Sequence, residues 1–148
     1  MQTYIGSTLR TGSGTLTDTV DGGYVVVSQT TTVTTAAAGT ATSAFVTIPA
    51  DSQIIDFFVD GVVNAVAGAG TATTVPVTIG TAAAGTQYLS ATDAIAGGRV
   101  ALAFTAAQLT AMNNVGASTA VVITADPNGT IVTTQGVYAL SVTYAQKV

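Results

Sequence analysis

The feature that most constrains this chain is a two-residue rhythm. In 136–144, GVYALSVTY, Tyr138, Leu140, Val142 and Tyr144 fall on one side, and Ala139, Ser141 and Thr143 fall on the other. Successive side chains of a strand point to opposite faces, so this run predicts a strand with one buried face. A helix would scatter the same four residues around its circumference.

The rhythm recurs along the chain. Residues 24–35, YVVVSQTTTVTT, are almost entirely β-branched and read as one long strand or two short ones. Residues 44–48, AFVTI, alternate until Pro49. In 53–60, QIIDFFVD, we expect Ile55, Phe57 and Val59 on one face, with Asp56 and Asp60 opposite them beside Ile54 and Phe58. In 74–79, TVPVTI, Val75, Val77 and Ile79 oppose Thr74, Pro76 and Thr78. Pro76 has no N–H, which predicts an edge or bulged strand. Residues 98–104, GRVALAF, group Val100, Leu102 and Phe104. Residues 119–125, TAVVITA, are apolar on both faces and read as a central strand. They run into Asp126-Pro127-Asn128-Gly129, which reads as a hairpin turn.

One stretch is helical in pattern. Residues 105–113, TAAQLTAMN, offer Thr105 as an N-cap and place Leu109 and Met112 three apart. It is too short to stand without packing by its neighbours. Short strands at roughly 8–12-residue spacing, separated by turns, predict an all-β sandwich or barrel.

The surface of such a body must be unusual. Only 7% of residues are charged, against about 25% in ordinary domains. Thr and Ala supply about 55 residues, far above average usage. Disordered chains combine low hydrophobicity with high charge, and this one has 48% hydrophobic residues. Its surface must be dressed in hydroxyls and amides or covered by partners. At 148 residues the chain is one domain by length.

The missing residue types exclude much chemistry. There is no His and no Cys, so the usual zinc and copper ligands and the Ser-His and Cys-His nucleophile systems are gone. No metal or other cofactor is expected, and no enzymatic activity. Arg10, Arg99 and Lys147 are the only cations, too few to track a phosphate backbone. The net charge of −4 disfavours anionic membranes. No apolar run reaches the roughly 18–20 residues of a membrane span. The start, MQTYIGSTLRTGSGT, lacks the basic and apolar regions of a secretory signal.

Individual motifs carry little chemistry. Asp56 and Asp60 lie about 13 Å apart along a strand, too far to share a proton. Asp18 and Asp21 precede Gly22-Gly23 and read as turn residues, since no cation-loop pattern surrounds them. Asn128-Gly129-Thr130 fits a glycosylation acceptor, but turn chemistry accounts for it. The Gly-rich 68–74 lacks the lysine of a phosphate loop. Arg99 is expected to pair with an aspartate. Tyr24 and Tyr88 are the better exposed aromatics for stacking on a sugar, while Tyr138 and Tyr144 belong to the core or to a seam between subunits.

Residues 1–20 have no clean period. They read either as a flexible tail or as an extended arm that orders on a neighbouring subunit through backbone pairing. On the second reading Tyr4, Ile5, Leu9, Arg10 and Leu16 are the candidate partner-binding residues.

From Ile48 to Tyr144 a series of strand types stands in order: IPADSQIIDFFVDGVV, VTIG, QYLSATD, a Gly-Gly-Arg strand, VVITA with a Gly-Thr turn, and GVYALSVTY. This series resembles the small β-rich virion proteins of tailed bacteriophages, and within them it is most similar to head decoration, or cement, proteins. The resemblance, which leaves out the first 45 residues, implies a β-sandwich or jelly-roll body; with the reading of the residues themselves, we expect an antiparallel β-sandwich or jelly roll over 21–148, an extended arm over 1–20 and at most one short helix. It implies a place on the outer face of the capsid, where a homotrimer bridges neighbouring major capsid subunits. Neither nucleic acid nor membrane is an expected partner. Two other classes stand beside this one: a carbohydrate or host-surface binding module on a fibre, and a self-assembling shell or tube subunit.

Overall fold

The computed structural model describes residues 24–147. Eight strands and one helix follow in order: β1 Tyr24–Thr34, β2 Thr42–Ile48, β3 Gln53–Val63, β4 Pro76–Gly80, β5 Leu89–Asp93, β6 Gly98–Arg99, α1 Ala106–Met112, β7 Thr119–Ala125 and β8 Val137–Lys147. They form two four-stranded sheets, ordered β1-β8-β3-β6 and β2-β7-β4-β5. Every pairing is antiparallel. The pairs nest: β1 joins β8, β2 joins β7, β3 joins β6, and β4 joins β5. Between the sheets lies one apolar core, so the expected sandwich is present.

Of the interior strands, β8 and β7 are those with the clearest sequence patterns. Tyr138, Leu140 and Val142 of β8 are fully buried, and Tyr144 nearly so. Across the core, Val121, Ile123 and Ala125 of β7 are also fully buried. The outer face of β7 is covered as well, because the chain after β4 folds back over it. Thr124 Oγ1 accepts the Ala84 N–H at 2.8 Å and lies 2.8 Å from Ser43 Oγ. That cover explains a strand that is apolar on both sides.

Several expectations are corrected. A bulge lies between Ile54 and Asp56 in the β3–β8 pairing, and it shifts the parity of β3. Ile54 therefore joins Phe57 and Val59 in the core, while Ile55 is 49% exposed. β4 is interior rather than at an edge, while the bulged alternative fits the register shift in its pairing with β5 between Val77 and Ile79; Pro76 is its first residue. The missing N–H thus costs no interior ladder bond. Only Gly98–Arg99 of the 98–104 segment pairs as a strand, although Val100 is buried and Ala101 and Ala103 are exposed, as its alternation predicts. Asp126–Gly129 is no hairpin, since β7 and β8 lie in different sheets.

Helix α1 begins as predicted. The Thr105 side chain accepts the Gln108 N–H, and the Gln108 side chain accepts the Thr105 N–H at 2.8 Å, a complete capping box. Its buried residues are Gln108 and Met112; Leu109 is exposed, contrary to the spacing argument. The Gln108 side chain does the anchoring instead, donating to the Thr86 carbonyl at 3.2 Å and to Ser90 Oγ at 3.1 Å.

Candidate interaction surfaces

The five described carboxylates are dispersed, and each has a partner or turn role; Asp51 sits in a turn at φ +57° and donates its N–H to the Gly116 carbonyl at 2.8 Å. Asp60 forms an ion pair with Arg99, whose guanidinium lies 4.6 Å from the centre of the Phe58 ring. Asp56 accepts the N–H of its own neighbour Phe57 at 2.8 Å. Asp93 accepts from Val75 N at 2.8 Å and Ile95 N at 3.1 Å. Asp126 follows β7, and its own N–H donates to the Pro76 carbonyl at 3.0 Å. Among the described residues no group of three acidic side chains is placed to hold a metal. The pairing of Arg99 with an aspartate is as expected.

Aromatic placement bears on sugar stacking. Tyr24 is exposed, but Tyr88 is 3% exposed and packs 5.5 Å from the Phe57 ring. Burial pushes its hydroxyl pKa above the usual 10. The sequence places Tyr88 beside polar Gln87, but the turn back into β5 directs its ring into the core. Only one of the two proposed sugar-stacking aromatics is therefore at the surface.

Among the described residues, two surfaces combine exposed apolar side chains with few charges. The first is one flank of the sandwich, where β1 and β2 are the outermost strands. Neither strand carries a charge, and β1 has 11 residues. Tyr24, Val25 and Val26 of β1 and Phe45 of β2 are exposed. The outward face of β1 continues as hydroxyls, with Thr30 Oγ1 lying 2.9 Å from Ser141 Oγ.

The second surface is one end of the sandwich, where the β1–β2, β3–β4 and β7–β8 connections meet. Ile131 N donates to the Ala37 carbonyl at 3.0 Å, and Val66 N to the Thr134 carbonyl at 2.8 Å. Asn128 Oδ1 accepts from Thr73 N and Thr74 N at 2.8 and 3.0 Å, while its amide donates to Thr73 Oγ1 at 2.9 Å. Gly39, at φ +72°, lies against the Gly129 carbonyl so closely that a Cβ would sit 2.5 Å from the oxygen. On this knitted end Val62, Val66 and Val132 are exposed. Asp126 is the only charge in the three connections. A well-bonded surface with so little charge is buried against a partner with little ionic desolvation or loop ordering.

Tyr4, Ile5, Leu9, Arg10 and Leu16 lie outside the described residues. The apolar end was missed from the sequence. Its signal was Val66 and Val132 inside connections rich in Gly, Thr and Ala.

No protein-family model matches the chain, and no curated protein matches it in sequence. Among solved structures, the fold is similar to a chain of the cyanophage Pam1 capsid asymmetric unit, with a TM-score of 0.56 and 17% identity. The alignment covers 95% of this chain and 99% of that one.

Proposed function

We propose that this chain is a structural virion protein of a phage head. The observation that carries the reading is the fold-level likeness, nearly end to end, to a chain of a phage capsid asymmetric unit. The nested pairing supports it, since we read that pairing as a jelly-roll winding, an architecture common in viral capsids. So do the uncharged flank and the rigid valine-bearing end, which are surfaces for protein contact.

In finer detail, the reading is that of a decoration protein. A homotrimer sits on the outer face of the head and clamps neighbouring major capsid subunits. Such a role needs area and rigidity more than chemistry, and many copies convert weak contacts into a durable shell. Residues 1–20, with Tyr4, Ile5, Leu9, Arg10 and Leu16, form the arm that contacts the capsid or a sister subunit.

Co-sedimentation with heads built from the cognate major capsid protein tests this. We expect saturable binding to expanded heads, and weaker binding after removal of residues 1–20. Failure of the full chain to bind any head form overturns the decoration role. Equal binding by the truncated chain overturns the role of the arm. Long polymers formed in the absence of heads favour a self-assembling shell or tube subunit instead.

A further inference from the structure

Of the four asparagines, Asn64, Asn113, Asn114 and Asn128, only Asn128 is followed by glycine. In a flexible chain that pair is chemically unstable. Glycine has no Cβ to hinder its own nitrogen, and its freedom in φ and ψ lets that nitrogen reach the preceding side chain. The Gly129 nitrogen then attacks Cγ of Asn128. An N–Cγ bond forms, the Cγ–Nδ2 bond breaks, and Nδ2 departs as ammonia with the Gly129 proton. Water opens the cyclic imide at either of its carbonyls and leaves aspartate or isoaspartate. The conversion consumes only water, with no oxidant or reductant.

The fold holds both reacting groups off that path. The Asn128 carboxamide is turned across to the β3–β4 connection, where Oδ1 accepts from Thr73 N and Thr74 N at 2.8 and 3.0 Å and Nδ2 donates to Thr73 Oγ1 at 2.9 Å. The Asn128 N–H donates to the Thr74 carbonyl at 3.2 Å, so backbone and side chain are tied to one segment. Gly129 is wedged on two sides. A Cβ on it would meet Thr71 Oγ1 at 2.5 Å and Ala72 N at 2.8 Å, and its carbonyl abuts Gly39. Thr130 N, next in the chain, donates to Thr71 Oγ1 at 3.1 Å. Cyclisation therefore requires the carboxamide to give up three hydrogen bonds, and Gly129 to turn in a slot with no space for one more carbon. Two accepted N–H bonds also polarise the carboxamide, which favours attack. That gain counts only when the nucleophile is aligned, and alignment is the larger factor. Asn128 is exposed, so water reaches it and the protection is conformational.

We propose that Asn128-Gly129 is a latent deamidation site, closed while this end of the sandwich is knitted and reactive when the end opens. Conversion there is one-way. Isoaspartate routes the main chain through an added carbon, which the slot between Gly39 and Thr71 cannot take. Either product adds a carboxylate where Asp126 is the only charge in the three connections. The inference concerns chemistry outside the virion reading and stands without it.

The test incubates the full-length protein at mildly alkaline pH, folded in buffer and unfolded in guanidinium chloride. Deamidation of Asn128 is followed by the mass of the peptide that carries it. We expect the folded chain to react at least about tenfold more slowly, because only locally opened molecules can cyclise. Thr73→Val keeps the Thr73 N–H and removes the hydroxyl that Nδ2 meets. It should raise the folded rate severalfold and leave the unfolded rate unchanged. Equal rates in buffer and denaturant, or a faster rate in buffer, overturn the proposal. So does a Thr73→Val rate in buffer that matches the parent. Head binding is not measured, so this result is independent of the virion role.

Discussion

Tyr138 lies fully buried in β8, and its hydroxyl has no hydrogen-bond partner among the described residues. Its ring has room because Gly136 lacks a side chain; a Cβ there would approach the hydroxyl to 2.6 Å. Burial, with the Asp93 carboxylate as a second cause, pushes the Tyr138 pKa from 10 up to about 12. The folded state therefore holds this proton where the unfolded chain has lost it. Its contribution to stability is complete below pH 10 and is lost as pH rises toward 12. Tyr138→Phe should remove most of that alkaline loss, leaving the smaller part due to Tyr88. It should also raise stability at neutral pH by about 1 kcal/mol, because an unpartnered polar group leaves the core. Urea unfolding at pH 7 and pH 11 checks both; a marked loss at pH 7 contradicts the orphaned hydroxyl. Arg99→Ala is the counter-case, since an exposed ion pair contributes about 0–1 kcal/mol and its loss should barely move the urea midpoint.

At the scale of elements, connections hold as much as strands do. Asn128 ties the β7–β8 connection to the β3–β4 connection through two accepted backbone bonds and one donated bond. Asn128→Ala leaves two solvent-accessible backbone N–H groups to water and should cost about 0.5–1.5 kcal/mol by urea unfolding. Gln108→Ala removes both the helix cap and the tether to β5, with a similar expected cost and faster amide exchange in α1. Both segments show what a one-dimensional pattern can carry. β8 and β7 were legible because strands paired on both sides must meet strict burial on at least one face. β3 was misread by one residue because a bulge is a tertiary event with no local signature at Ile54-Ile55. The Asp126–Gly129 turn was recognised, but its neighbours across the sandwich were not, since the Asn128 contacts reach back more than 50 positions. Exposed Val62, Val66 and Val132 were likewise illegible as a group, because only the meeting of three connections brings them together.

For the whole molecule, the account is one of area without charge. A specific contact needs about 800 Å² from each partner, and a surface of hydroxyls and alanines can yield it with little ionic desolvation. Repetition over a shell then multiplies each modest contact. Heads assembled with the protein should resist heating or chaotrope at conditions that open bare heads, read by release of packaged dye or DNA. The most direct measurement is an image reconstruction of heads prepared with and without the protein. The account predicts added density on the outer surface that fits this sandwich and spans adjacent capsid subunits. No added density, or density confined to the interior, the tail or a fibre, would contradict it.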